Sequence, residues 1–144
     1  MISIHDNEVL SYTVDLKNKT IRLDTTWSYK ERSEHTMVEF RGVFTHYLVG
    51  ANDYQNVLTD IEEEPLEIFA LDNDALLKEW KDTTCWPRLY QDTGDMLRQL
   101  GEEKLRYYKL YAAIGLEGWV LARKMELIPL DGQPQEGYDH FDIY

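Results

Sequence analysis

From Val9 to Leu16 apolar and polar residues alternate. Leu10, Tyr12, Val14 and Leu16 share one side, and Ser11, Thr13 and Asp15 the other. That is the period of a half-buried strand. Lys17-Asn18-Lys19 follows as a polar turn. Alternation then resumes from Thr20 to Trp27, with Ile21, Leu23 and Trp27 against Arg22 and Asp24. The two runs predict a β-hairpin with one wet face. Leu105–Ile114 and Trp119–Ile128, joined through Gly115-Leu116-Glu117-Gly118, predict a second hairpin.

Between the hairpins the signals are mixed. Tyr29–Thr36 is highly charged and predicts a loop. Met37–Val49 is the most apolar stretch: Phe40, Phe44 and Leu48 alternate with Val43, Tyr47 and Val49, which predicts a central strand covered on both faces. Gly42 marks a bulge or a close contact within it. Asn56–Ile61 and Leu66–Leu71 read as strands, or as one strand interrupted at Pro65. Asp72-Asn73-Asp74 caps a short helix over residues 74–81, and Asp92 or Thr93 caps another over 93–101, with Gly101 as its stop. The fold class expected is α+β: an antiparallel sheet of five to seven strands with two short helices on one face. Residues 1–128 read as one domain. Residues 129–144 read as a Pro/Gly-rich tail whose Tyr138, Phe141 and Tyr144 suit it to dock back.

Composition narrows the class. At 144 residues, with 43% hydrophobic and 12% aromatic side chains, the chain can bury a core and does not carry the signature of disorder. No apolar run is long enough to predict a membrane span. Residues Met1–Asp6 lack the basic and apolar regions of a secretory signal. Cys85 is the single cysteine, so no internal disulfide is expected, and the cytoplasm is the expected compartment. The net charge of −12 argues against nucleic acid and anionic membranes as partners and allows a basic protein partner. Most of the excess sits in residues 51–100, which hold 12 acidic and 4 basic residues.

Motifs for chemistry are sparse. His5, His35, His46 and His140 are scattered, and Cys85 has no CxxC partner, so neither a metal nor a cofactor is expected. Asp139-His140-Phe141-Asp142 reads as a solvated tail. No Gly-x-Ser-x-Gly elbow and no phosphate-binding glycine loop is present. Cys85 reads as a dispensable small hydrophobe beside Trp86. A catalytic thiol at Cys85 paired with His46 is the less favoured catalytic pairing. The best that the pattern offers is His46 with Asp60, brought together if the strand after Gly50–Tyr54 returns antiparallel to the one before it. Asp60, Glu62 and Glu64 fall on one side of an extended chain and Glu63 on the other. With Glu67, Asp72, Asp74 and the loop residue Trp86, they form the expected partner-binding set.

The stretch Arg41-Gly42-Val43, Thr45-His46-Tyr47 and Asn56-Val57-Leu58-Thr59-Asp60-Ile61-Glu62, with Ile114-Gly115-Leu116-Glu117-Gly118-Trp119-Val120-Leu121-Ala122, resembles small bacterial α+β proteins of about this length. Some of these are similar to immunity proteins of polymorphic toxin systems. The resemblance spans most of the chain in layout and carries no catalytic residues. It implies a non-enzymatic acidic domain that covers a basic toxin domain. The alternative is a small hydrolase-like enzyme using His46 and Asp60.

Overall fold

The computed structural model describes residues 3–83 and 90–130. In chain order these form β1 (Glu8–Asp15), β2 (Thr20–Tyr29), β3 (Arg32–Arg41), β4 (Thr45–Val49) and β5 (Val57–Glu64). Three helices follow: α1 (Leu66–Asp72), α2 (Asp74–Thr83) and α3 (Thr93–Glu102). The last strands are β6 (Arg106–Ile114), β7 (Glu117–Ala122) and β8 (Lys124–Pro129). The fold class is α+β on one antiparallel sheet, as expected, but the described residues hold eight strands and three helices.

The extra strands come from bends. The strand order is β4-β7-β6-β5-β1-β2-β3-β8. β3 runs on into β4 through Gly42, whose φ of 64° lies in the left-handed region that glycine enters freely. β7 runs on into β8 through Arg123. The two bent runs pair with each other, β3 with β8 and β4 with β7. Across the bend Arg123 N–H donates to the Arg41 carbonyl at 3.1 Å, and Phe44 N–H to that of Leu121 at 2.8 Å. Both ends of the strand order therefore belong to the same pair of runs, and the sheet curls back on itself. Phe40 of β3 meets Tyr108 of β6 edge-on at 5.6 Å between ring centres, so the interior is filled by side chains.

Two cores result. Ile21, Leu23, Val38, Phe40, Leu58, Tyr108, Leu110 and Val120 fill the inside of the curl. Phe69, Leu77, Met96 and Leu100 from the helices pack outside it against Tyr107, Trp119 and Leu121 of β6 and β7. β6 and β7 are thus covered on both faces, which is why Tyr107 and Tyr108, adjacent in sequence, are both buried. The bend at Gly42 also splits the expected face of Met37–Val49. Phe40 and Leu48 pack with the inner core, and Phe44 with the outer one.

Several expectations are corrected. Tyr29–Thr36 is no loop: β2 and β3 continue as a hairpin to the pair Tyr29 and Arg32, with Lys30 left-handed at φ 56°. Its charges sit on an exposed arm, where alternation carries no apolar signal. Leu66–Leu71 is helix, not strand. Pro65 ends β5 and its carbonyl receives the first helical bonds, while Leu66, Phe69 and Ala70 lie at helical spacing on the outer core. The helix at 74–81 extends to Thr83. Asp92, one of the two proposed caps of α3, accepts from Asp95 N–H at 2.8 Å. Gly101 does not stop that helix, and Lys104 takes the left-handed position instead, at φ 61°. Cys85, Trp86 and the tail from residue 131 lie outside the described residues.

On the outward face of the β2–β3–β8 corner, Glu39 is 4% exposed between Arg22 and Arg41. The hydrogen bond from Arg41, aided by the one from Arg22 and opposed by burial, holds its carboxyl below the usual glutamate value of 4.5. A depressed folded-state value means stabilisation that is present above the unfolded value and lost as pH falls through the folded one. Between about pH 5 and pH 3 the wild type should lose more stability than Glu39→Gln. At neutral pH the variant should cost only about 1 kcal/mol, because both guanidinium groups are largely solvated. Thermal melts of the two proteins across this range check it. Parallel pH curves would show that the cluster does not contribute.

Candidate functional site

The outward face of β4, β7 and β6 is not wholly covered by the helices. Beside the end of α1 it forms an open cleft of about 380 Å³, lined among others by Tyr47, Asp72, Lys109, Tyr111, Glu117 and Trp119. Strand alternation places the walls. Tyr107, Lys109 and Tyr111 are two apart on β6 and share its outer face. The register sets Lys109 opposite Trp119, and Trp119 opposite Tyr47. Trp119 and Tyr47 stack with ring centres 6.2 Å apart.

The polar groups are organised by α1. Asp72, its last residue, accepts from the Tyr107 hydroxyl at 3.0 Å and from Lys109 Nζ at 3.1 Å. Asn73, which follows it, accepts from Trp119 Nε1–H at 3.0 Å and donates to the Phe69 carbonyl at 3.0 Å. The Tyr111 hydroxyl donates to Glu64 at 2.8 Å, and Lys109 Nζ lies 5.1 Å from the Tyr111 ring centre. Each of these proton donors is held protonated. The bond to Asp72 raises Lys109, the bond to Glu64 raises Tyr111, and burial, reinforced by Asp72, raises Tyr107. None of these three is tuned toward neutrality as a general acid or base would be. The cleft offers aromatic faces and carboxylate, the materials of recognition.

β5 continues this face. Asp60, Glu62 and Glu64 lie opposite Tyr111, Lys109 and Tyr107, so all three flank the cleft wall. Glu63 points to the other face and reaches Arg106 at 3.4 Å. Glu67 is exposed in the first turn of α1, and Asp74, in the first turn of α2, pairs with Lys78 at 2.9 Å. Of the expected partner-binding residues, Asp60, Glu62, Glu64 and Asp72 adjoin one surface. Trp86 lies outside the described residues.

His46 and Asp60 are not brought together. β4 pairs with β7, not β5, and two strands, β7 and β6, stand between them. His46 lies opposite Val120 on the inner face, Asp60 opposite Tyr111 on the outer. Partial burial lowers the His46 value, so the ring is neutral at neutral pH. Among the described residues no group of three or more His, Cys, Asp or Glu is placed to hold a metal ion. No helix among them is long and apolar enough to cross a membrane.

Sequence reasoning did not assign Tyr47, Tyr107, Lys109, Tyr111 and Trp119 to a site. The signal for three of them was present in the alternation Tyr107-x-Lys109-x-Tyr111, which puts two hydroxyls and an ammonium on one face. In comparisons with known proteins, no family model, curated protein or solved structure matched this chain.

Proposed function

We propose that this chain is a non-enzymatic acidic protein-binding domain whose partner presents a basic surface, in the manner of an immunity-type inhibitor of a basic toxin domain. The observation that supports the reading is the row Asp60, Glu62 and Glu64 beside a cleft walled by Tyr47, Tyr111 and Trp119. Lys109, which also lines that cleft, is already bound by Asp72. An arginine or lysine of the partner would meet carboxylates at the rim and the exposed Tyr47 ring as a π face. Exposed carboxylates raise encounter rates more than they deepen affinity.

The test uses the protein partner recovered with the chain from its own cells. Association is followed by stopped-flow fluorescence at several ionic strengths. The triple change Asp60→Asn, Glu62→Gln and Glu64→Gln should slow association roughly tenfold at low salt, with little change in dissociation. Neutralising Glu31, Asp53 and Glu102, three acids on other parts of the surface, removes the same charge and should have a much smaller effect. Equal slowing by the two triples, or association indifferent to salt, would assign the acidity to solubility and remove the cleft from the interface.

A further inference from the structure

Buried polar side chains gather at one end of the inner core: Asn7, 0% exposed, with Thr25 and Thr36. Thr25 follows Ile21 and Leu23 of that core at two-residue spacing and lies opposite Thr36 on β3 and Val9 on β1. Asn7 stands where the sheet closes. Its carbonyl accepts from Leu58 N–H at 2.9 Å, beside the ladder pair Glu8 and Val57 that joins β1 to β5. Its side chain turns inward. Nδ2 donates to Thr25 Oγ1 at 3.0 Å, and the Thr25 hydroxyl donates to the Thr36 carbonyl at 2.7 Å. One residue thus links β5, β2 and β3. The other atom of the amide is left over. Asn7 Oδ1 is buried and has no hydrogen-bond partner among the described residues.

Turning the amide over does not remove the deficit. Oδ1 would then face Thr25 Oγ1, whose one hydrogen already goes to the Thr36 carbonyl. Either that carbonyl loses its donor or two acceptors face each other, and Nδ2 becomes the atom without a partner. In each arrangement of these three residues one buried polar group stays unpaired, which costs its full desolvation. We propose that a single internal water sits against Asn7 Oδ1 and supplies the missing hydrogen. The chemistry selects the ligand. The atom to be satisfied is a neutral acceptor, so the ligand must donate. None of Asn7, Thr25 and Thr36 carries a charge, so an ion held by them would be buried without a counter-charge. A neutral donor small enough for a packed core is water, and internal waters bridge buried polar groups of this kind through two or more bonds. Thr25 Oγ1 keeps an acceptor site that can take the second hydrogen. The water then fastens the joint between β1 and β5 from inside, and it leaves only when that joint opens.

The experiment is oxygen-17 relaxation dispersion of water on the full chain, wild type against Asn7→Leu, a side chain of similar shape without polar atoms. The amplitude should fall in the variant by the equivalent of one long-lived water. Reading the oxygen nucleus excludes proton exchange through the Thr25 hydroxyl. Circular dichroism checks the fold, and Asn7→Val serves if the leucine variant does not fold. A second measurement needs no variant. In the wild type the Asn7 side-chain amide hydrogens should show cross-peaks to water of opposite sign in laboratory-frame and rotating-frame Overhauser spectra, the signature of a held water and not of passing solvent. Cross-peaks of like sign, or none, overturn the proposal. So does a long-lived water signal that is unchanged in a folded variant.

Discussion

Gly118→Ala should detach β4 from the sheet. Gly118 sits in β7 at φ 139°, a backbone region closed to residues with a Cβ, and it pairs with Leu48 of β4 on one side and Leu110 of β6 on the other. A Cβ there would fall on the Tyr47 carbonyl oxygen, which is backbone and cannot turn away. Strain and overlap together should cost about 3–5 kcal/mol. Because β4 pairs only with β7 among the described residues, the loss should be local before it is global. Amide exchange should rise first at Thr45–Val49, while β1–β2–β3 stays protected. Chemical denaturation gives the magnitude. A variant within about 1 kcal/mol of the wild type would mean that this approach of the two strands is not held in solution.

Trp119→Ala should carry the other large effect. Trp119 is 4% exposed and lies at the centre of the outer core, with Phe69 at 4.9 Å, Trp80 at 6.1 Å and Tyr47 at 6.2 Å between ring centres. Truncating a buried tryptophan to alanine costs about 3–5 kcal/mol, from lost burial and from the void left behind. The helices depend on this side chain more than the curled sheet does, so helical circular dichroism should be lost at lower denaturant than the signal of the strands. Trp119→Phe separates packing from polarity. It keeps a ring but leaves Asn73 without the indole N–H, and should cost about 1–2 kcal/mol. If the alanine variant lost no more than the phenylalanine variant, packing at this position would not be what seats the helices.

The first hairpin, the second as far as Ala122, the antiparallel sheet, the helix at 74–81 and the Asp92 cap were legible in the sequence, whereas Lys124–Ile128, read as part of the second hairpin, pairs with β3 instead. Each legible element is written within a few residues, as a two-residue alternation, a turn or a capping side chain, and local hydrogen bonding is enough to realise it. Leu66–Leu71 was not legible. Six apolar-rich residues fit either period, and only the outer core, which takes Phe69 and Ala70 together, selects helix. The hairpin arm at Tyr29–Arg32 was hidden for the opposite reason: its strands bury too little there to leave a pattern.

The candidate site divides in the same way. The placement of Asp60, Glu62 and Glu64 on one side, with Glu63 opposite, follows from alternation alone and is what β5 shows. That these carboxylates flank Tyr111, Lys109 and Tyr107, and that β7 and β6 separate His46 from Asp60, depends on which strands become neighbours. The same is true of Leu10, Tyr12 and Leu16. Alternation marked their face as one to be covered, but whether a strand of the same chain lies alongside is decided by β5, which leaves β1 at Glu8. Local chemistry sets the period and the caps of each segment. Neighbours are set by the closing of the sheet, a sum of contacts between residues far apart in the chain.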